Sequence, residues 1–289
     1  MKIAHLIMAH KEPVQLERLL NRLSYPMFDL YVHLDKKINI RDFEYLESLH
    51  NVIFIKNRVR CNWGGFSFVR AITESVREIL SKETKYRYVN LLSGQDYPLK
   101  NNDYIYTFFK ENNGRNFISF DESNESEWWQ LAKNRYEKYH FTDIQIRGRY
   151  RVQKVINHFL PKRNFPLRVK MYGSSNATWW MLTTECLNHI INLVDKNKKI
   201  TSFMRLTWGA DEFFYPTLIM NSEIQSSAIN NNYRYIRWTF ESTHPDILSI
   251  NDLEMISKTS CLFARKFDYR VDVAILDAID DILNVKITP

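Results

Sequence analysis

Two hydrophobic periods alternate along the first third of the chain. Ile3 to Ala9 is a short apolar run, the pattern of a strand buried on both faces. From Glu12 to Ser24, Leu16, Leu19, Leu20 and Leu23 share one helical face. A second strand, Leu30 to Leu34, ends in the polar cluster Asp35, Lys36 and Lys37, and Asn51 to Ile55 is a third. Phe68 to Leu80 is helical, with Phe68, Val69, Ile72, Val76, Ile79 and Leu80 on one side. A fourth strand, Tyr88 to Leu92, runs into Ser93-Gly94-Gln95-Asp96; a helix over Asn102 to Glu111 and a strand over Phe117 to Phe120 follow. Strand–helix–strand order with short connections predicts an α/β fold built on a parallel, doubly wound sheet. Ligands of such sheets bind at the carboxyl ends of the strands. That rule singles out Asp35, Lys36, Lys37 and the Ser93 to Asp96 turn.

Periodicity weakens from Asp121 to Lys170, where Trp128, Trp129, Arg135, Tyr136, Tyr139, His140, Arg147, Arg149 and Arg151 cluster. This stretch reads as an inserted, partly helical lobe. Interleaved aromatic and basic side chains suit sugar stacking or nucleic acid, and equally a packed lobe with solvated cations. Order returns with a strand over Asn176 to Leu182 and a helix over Thr184 to Asp195, which turns Leu187, Ile190, Ile191 and Val194 inward. A strand near Tyr233 to Trp238 and an amphipathic helix from Val271 to Leu283 complete the pattern. With no repeats, low-complexity segments or linkers, a single compact unit is expected.

Composition sharpens this picture. The 289 residues, 45% of them hydrophobic, suffice for one large core. A formal net charge of +7 suggests an anionic partner. Only 7 glycines occur, and neither G-x-G-x-x-G nor G-x-x-x-x-G-K-[ST] is present, so a glycine-rich phosphate loop is not expected. Cys61, Cys186 and Cys261 are few and far apart, against a disulfide framework or a cysteine-based zinc site. The N-terminal apolar run is too short for a signal peptide, and no run of about 18 apolar residues exists. A soluble, cytoplasmic protein is the expectation.

Two segments carry candidate chemistry. In Thr207 to Asn221, an Asp-Glu pair follows a Trp-Gly-Ala turn and precedes an apolar run, as in a loop entering a helix. Glu212 then has two readings. It is a first-turn acid that caps amides and suits the helix dipole, or a general base at the mouth of a cleft. In Cys261 to Asp268, Arg265 and Lys266 lie between Phe263 and Phe267. If the segment is extended, the two cations point to opposite faces, one into a site and the other to solvent.

Taken in order, several stretches resemble one family. They are MAHKEPVQLERLLNRL, YVHLDKK, NWGGFSFVRAITESVREIL, YVNLLSGQDYPLK, YGSSNATWWMLTTE, ADEFF and LFARKFD, and together they reach from about Ile3 to Asp268. The chain is similar to the core-2/I-branching β-1,6-N-acetylglucosaminyltransferases, a group that includes the peptide O-xylosyltransferases. The resemblance implies a GT-A-type fold, with a nucleotide-binding half over residues 1–120 and an acceptor-binding, catalytic half over 121–289. It also implies inverting transfer from a UDP-sugar without a metal ion or other cofactor.

By the same resemblance, Glu212 matches the catalytic base. Lys266, with Arg265 beside it, matches a cation on the UDP diphosphate. Asp35 matches an acid near the nucleotide, and Trp63 and Gly64 the small-residue turn beside it. Asp96 falls where metal-dependent relatives keep metal-binding acids, without their Asp-x-Asp pattern. The family's second diphosphate cation is missing, since Thr243 and His244 occupy its place; Arg234 and Arg237 lie slightly upstream, and Arg237 is the candidate substitute. Trp128, Trp129, Tyr136 and Trp238 are candidate acceptor-stacking surfaces. The implied partners are a UDP-sugar, with GlcNAc or xylose to transfer, and a glycan or glycolipid acceptor. Nucleic acid is not expected, and peripheral contact with the inner face of a cell membrane is. Vertebrate relatives are membrane-anchored and rich in disulfides, so the resemblance is to a bacterial-type member. The rival readings are a metal-dependent nucleotide-sugar transferase of the same fold and a nucleic-acid-binding module.

Overall fold

A computed structural model describes residues 1–121, 126–166, 169–239, 242 and 244–283. Thr243 lies outside the described residues. The chain runs through β1 (Lys2–Ala9), α1 (Pro13–Arg22), β2 (Phe28–Leu34), β3 (Val52–Phe54), α2 (Phe66–Leu80), β4 (Tyr86–Ser93) and β5 (Asp96–Pro98). It continues through α3 (Asn102–Glu111), β6 (Asn116–Phe117), α4 (Glu127–Glu137), α5 (Arg149–Phe159), β7 (Met181–Thr183), α6 (Thr184–Lys196) and α7 (Lys198–Met204). It ends with α8 (Phe214–Met220), β8 (Ala228–Ile229), β9 (Arg234–Ile236), α9 (Leu253–Lys258), β10 (Phe263–Arg265) and α10 (Ala274–Ile282).

The chain groups into two compact units, and neither is one continuous stretch of sequence. One compact unit gathers Met1–Lys56, Glu83–Gly114 and the described residues from Tyr233 onward; the other gathers Asn57–Lys82 and the described residues of Arg115–Asn232. Contact between distant segments sets this grouping, and hydrophobic periodicity carries no record of it.

In the first unit the strand order is β3-β2-β1-β4, all parallel. Ile3, Leu6, Ile7, Leu30, Val32, Leu91 and Leu92 are fully buried in it, as near-continuous apolar strands require. Helix α1 begins with Pro13 at its first turn and buries Leu16, Leu19 and Leu20. A smaller sheet has the order β5-β10-β9, with β10 antiparallel to β5 and parallel to β9. Gln15 and Gln95 both donate to the Phe267 carbonyl, at 3.2 and 2.9 Å, and so fix the chain just after Lys266.

In the second unit, β6 pairs antiparallel with β7 and parallel with β8. The Asn116 side chain links all three, accepting from the Thr183 amide and donating to Ser227, both at 2.8 Å. Helix α2 buries Val69, Ile72, Val76 and Ile79. Its first amides have no cap of their own: Asp143 accepts from the Ser67 amide at 2.7 Å and from the Ser67 hydroxyl at 2.6 Å, and so ties the lobe to the helix.

The class is therefore α/β, a mostly parallel sheet flanked by helices, with an inserted lobe of which α4 and α5 form part. Two expected strands come out shorter. Phe117 to Phe120 pairs only through Phe117, and Asn176 to Leu182 pairs only from Met181. Residues 175–178 turn instead, and Thr178 uses its hydroxyl to hold Asp211 at 2.8 Å. Among the described residues no helix is long and apolar enough to cross a membrane.

Candidate active site

In the second unit, Glu212 closes a 3-10 turn, Ala210–Glu212, just before α8. The turn is held from both sides. The Gly209 amide donates to the Gly64 carbonyl at 2.8 Å, and the Trp208 amide to the Arg135 carbonyl at 3.0 Å. Neither the turn nor α8 has a side-chain cap, so the capping reading fails for Glu212. Its Oε2 accepts instead from Arg135 Nη1 at 2.6 Å, and no described residue hydrogen-bonds Oε1. The Glu212 side chain is 18% exposed. Burial pushes its carboxyl up to about 7 and Asp211 adds to the rise, while Arg135 and the Trp128 indole, which stops short of full hydrogen-bond geometry, oppose it. A carboxylate that ionises near neutral pH, with one oxygen anchored and one available, is suited to accept a proton.

Aromatic rings hold Arg135 in place. Its guanidinium lies 4.6 Å from the Trp208 ring and 5.9 Å from that of Trp128. Trp208 meets Trp63 edge-on at 5.1 Å, and Trp63 is 68% exposed. Gly64 has φ +68°, and a Cβ there would sit 2.6 Å from Trp208 Nε1, so no other residue fits without moving that ring. Trp128, half-buried, and Tyr136 pack against Phe213 at 5.4 and 5.6 Å between ring centres. Trp129 corrects the expected stacking set. It is 1% exposed, locked between Trp128, Tyr136 and Phe213, and offers no face to an acceptor.

The first unit gathers cations at the carboxyl end of β1. Asp35, buried, follows β2 and receives the Lys37 amide at 2.9 Å, with the Lys37 ammonium 3.7 Å away. Lys11 pairs with Asp268 at 2.5 Å. Lys266 is partly buried, and its pKa is lowered by desolvation, then by Lys11 and Arg265. Burial lowers the pKa of His10, with Lys11, Lys266 and Lys37 adding to the fall and Asp35 opposing it. The charges of Asp35, Lys266, Lys11 and Lys37 thus cluster around His10.

Arg265 does not join that cluster. It is buried, with Nε 3.5 Å from Asp96. Of the two adjacent cations, the one turned inward meets a buried acid. Arg234 lies in the same interior, over the Phe263 ring at 4.4 Å and donating to the Asn90 side-chain Oδ1. The Asn90 amide meets His5 Nδ1 at 2.9 Å. Burial holds Arg234 down to about 10 and His5 down to about 3, so this imidazole is neutral; burial also raises Asp96. Arg237 is held by Asp246 at 2.9 Å and by Asp252. Trp238 is 36% exposed in this first unit. Among the described residues no group of three or more His, Cys, Asp or Glu side chains converges as a metal site.

Sequence reasoning missed Arg135 as the partner of Glu212, and with it Trp208 and Lys11. Arg135 was one of many arginines in a weakly periodic lobe, and its distance from Glu212 along the chain hides the pairing.

A family model described as "Core-2/I-Branching enzyme" matches residues 3–257. The chain is 24% identical to a zebrafish (Danio rerio) β-1,3-galactosyl-O-glycosyl-glycoprotein β-1,6-N-acetylglucosaminyltransferase 4, over 98% of this chain and 70% of that one. It is 25% identical to xylosyltransferase 2 of Rattus norvegicus, over 96% of this chain but only 33% of the relative, so it spans about a third of that protein's length. A solved structure of mouse xyloside xylosyltransferase 1, apo form, superposes with a TM-score of 0.43 at 13% identity, covering 91% of this chain and 97% of that one. With the family model matched from Ile3 to near the last sheet strand, the chain belongs to the Core-2/I-branching enzyme family of glycosyltransferases.

Proposed function

We propose that this protein transfers a sugar, GlcNAc or xylose, from a UDP-sugar to a hydroxyl of a glycan acceptor, with inversion and without a metal ion. The observation that carries the reading is the Glu212 carboxylate, anchored through Oε2 by Arg135 and ionising near neutral pH. In a single displacement, Oε1 takes the proton of the acceptor hydroxyl as its oxygen attacks the anomeric carbon and UDP departs from the opposite face. The leaving diphosphate gains charge, and fixed cations do the electrostatic work that a divalent ion does elsewhere. Lys266, with Lys11 and Lys37, supplies them; Arg237, held by two acids, is a weaker choice. Trp63, Trp128 and Tyr136 are the candidate acceptor surfaces in the unit that carries Glu212.

The test is a panel of UDP, UDP-GlcNAc, UDP-xylose, UDP-glucose and UDP-galactose, with magnesium and with EDTA, read by melting temperature and by release of UDP. A ligand that binds the folded state raises the melting temperature. UDP should raise it with EDTA present, and Lys266→Ala should cut that rise. Loss of turnover in EDTA would move the reading to a metal-dependent transferase.

A further inference from the structure

Helix α5 is built with its polar side inward. None of its residues is buried. The side chains that attach it to the lobe are polar. Gln153 accepts from the Phe141 amide at 2.8 Å, Asn157 both accepts from and donates to the Tyr139 backbone at 2.8 Å, and Arg149 donates to the carbonyls of Thr142 and Ile144. These positions, 149, 153 and 157, recur every four residues along one face. The apolar side chains recur along another: Val152, Val155 and Phe159 are 44%, 56% and 77% exposed, and Ile146 and Leu160 flank the helix at 54% and 48%. An ordinary surface helix buries such a stripe. Contiguous exposed apolar surface of this kind marks a contact with something outside the fold.

Charge decides what that something is. Residues 144–166 contain no Asp or Glu. Arg147, Arg151 and Lys154 are exposed and form no ion pair among the described residues. At a helical spacing of about 100° per residue, Arg151 and Lys154 border the Val152–Val155–Phe159 stripe on one side. A short helix with an apolar stripe edged by unpaired cations matches the interface of an anionic bilayer, where apolar side chains enter the acyl boundary and cations meet lipid phosphates.

We propose that α5 and its flanks dock this protein on the surface of an anionic membrane. The helix lies in the plane of the interface, with Val152, Val155 and Phe159 inserted and Arg147, Arg151 and Lys154 among the headgroups. This goes beyond the proposed transfer reaction and does not depend on it.

The experiment is co-sedimentation of the full chain with vesicles of phosphatidylcholine alone and of phosphatidylcholine mixed with phosphatidylglycerol. Binding to the anionic vesicles, weakened by added salt, is expected. The double variant Val155→Asp/Phe159→Asp should lose about tenfold or more of it, because charged groups replace the inserted ones. Arg151→Glu/Lys154→Glu should lose a similar share, together with most of the salt dependence. All four positions point away from the lobe, so the variants should keep the wild-type melting temperature. Equal binding by wild type and variants, or none to anionic vesicles at low salt, overturns the proposal. So does a wild-type dimer in solution that the Val155→Asp/Phe159→Asp variant dissolves, since the stripe would then be covered by a second copy.

Discussion

Each unit of the molecule contains a buried acid beside an arginine, and the two pairs have different fates. In one unit Asp96 is 1% exposed, with Arg265 and Arg234 both acting on it and the Ser93 amide on its other oxygen. In the other, Glu212 meets Arg135 through one oxygen and keeps the second clear of hydrogen bonds among the described residues, on a side chain that is 18% exposed. Burial raises both pKa values. A raised carboxyl pKa therefore does not by itself separate a catalytic group from a structural one. Access does, because a base needs a free oxygen within reach of a proton.

The largest effect should come from Glu212→Gln. The amide keeps an oxygen for Arg135 but cannot take a proton, so transfer should fall about 10²- to 10⁴-fold while UDP still raises the melting temperature. Turnover within threefold or so of wild type would return Glu212 to the structural class that Asp96 occupies.

Arg234→Met is the opposite experiment. It removes a buried cation that neutralises Asp96, and it leaves the Asn90 side-chain Oδ1 without that donor. Breaking such a network typically costs about 3–5 kcal/mol, read as a lower denaturation midpoint. An unchanged midpoint would show that the interior cluster contributes nothing to stability.

The contrast was only partly legible in the sequence. Periodicity located β1, α1, β2 and α2 to within about two residues because each buries a continuous face. Asp35 stood out because it follows a strand, where chain direction alone fixes its place; Lys266 stood out from its neighbour Arg265 only through the family resemblance. Arg265 and Lys266 were seen as a pair, but which of them faces inward depends on Asp96, more than a hundred residues away in sequence. Trp129 shows the same limit: it and Trp128 are neighbours of equal chemistry that both pack against Phe213, yet only Trp129, which also meets Tyr136, is core. Arg135 stood out only as one of several lobe arginines, since its role lies in a contact with Glu212 that local patterning does not encode.

A smaller effect comes from pH, and its sign is fixed. The carboxyl of Glu212 ionises near 7 in the folded protein, against an ordinary value of 4.5. Between those values the unfolded chain has given up a proton that the folded chain still holds, so stability falls as pH rises from about 4.5 to 7 and then levels. The full contribution is about 3 kcal/mol at one pKa unit per 1.36 kcal/mol. Melting curves across that window should show it for wild type and not for Glu212→Gln. Transfer should run the other way, rising with pH up to about 7 as the base ionises.

The finest test separates the position of Glu212 from its electrostatics. Gly173 lies against the Glu212 turn: an added Cβ would sit 2.7 Å from the Glu212 carbonyl oxygen, 2.8 Å from Phe213 Cδ1 and 3.0 Å from Trp128 Cη2. Two of these neighbours are backbone and a packed ring, so Gly173→Ala must push the turn aside, at about 1–3 kcal/mol of stability. The carboxylate would then move relative to its acceptor without losing Arg135. Transfer should drop by about tenfold, since small displacements of a reacting group lower the rate steeply. The midpoint of its pH dependence should stay near 7, because burial and the arginine are both retained. A shifted midpoint with little loss of rate at high pH would mean that the turn governs the ionisation of Glu212 rather than its aim.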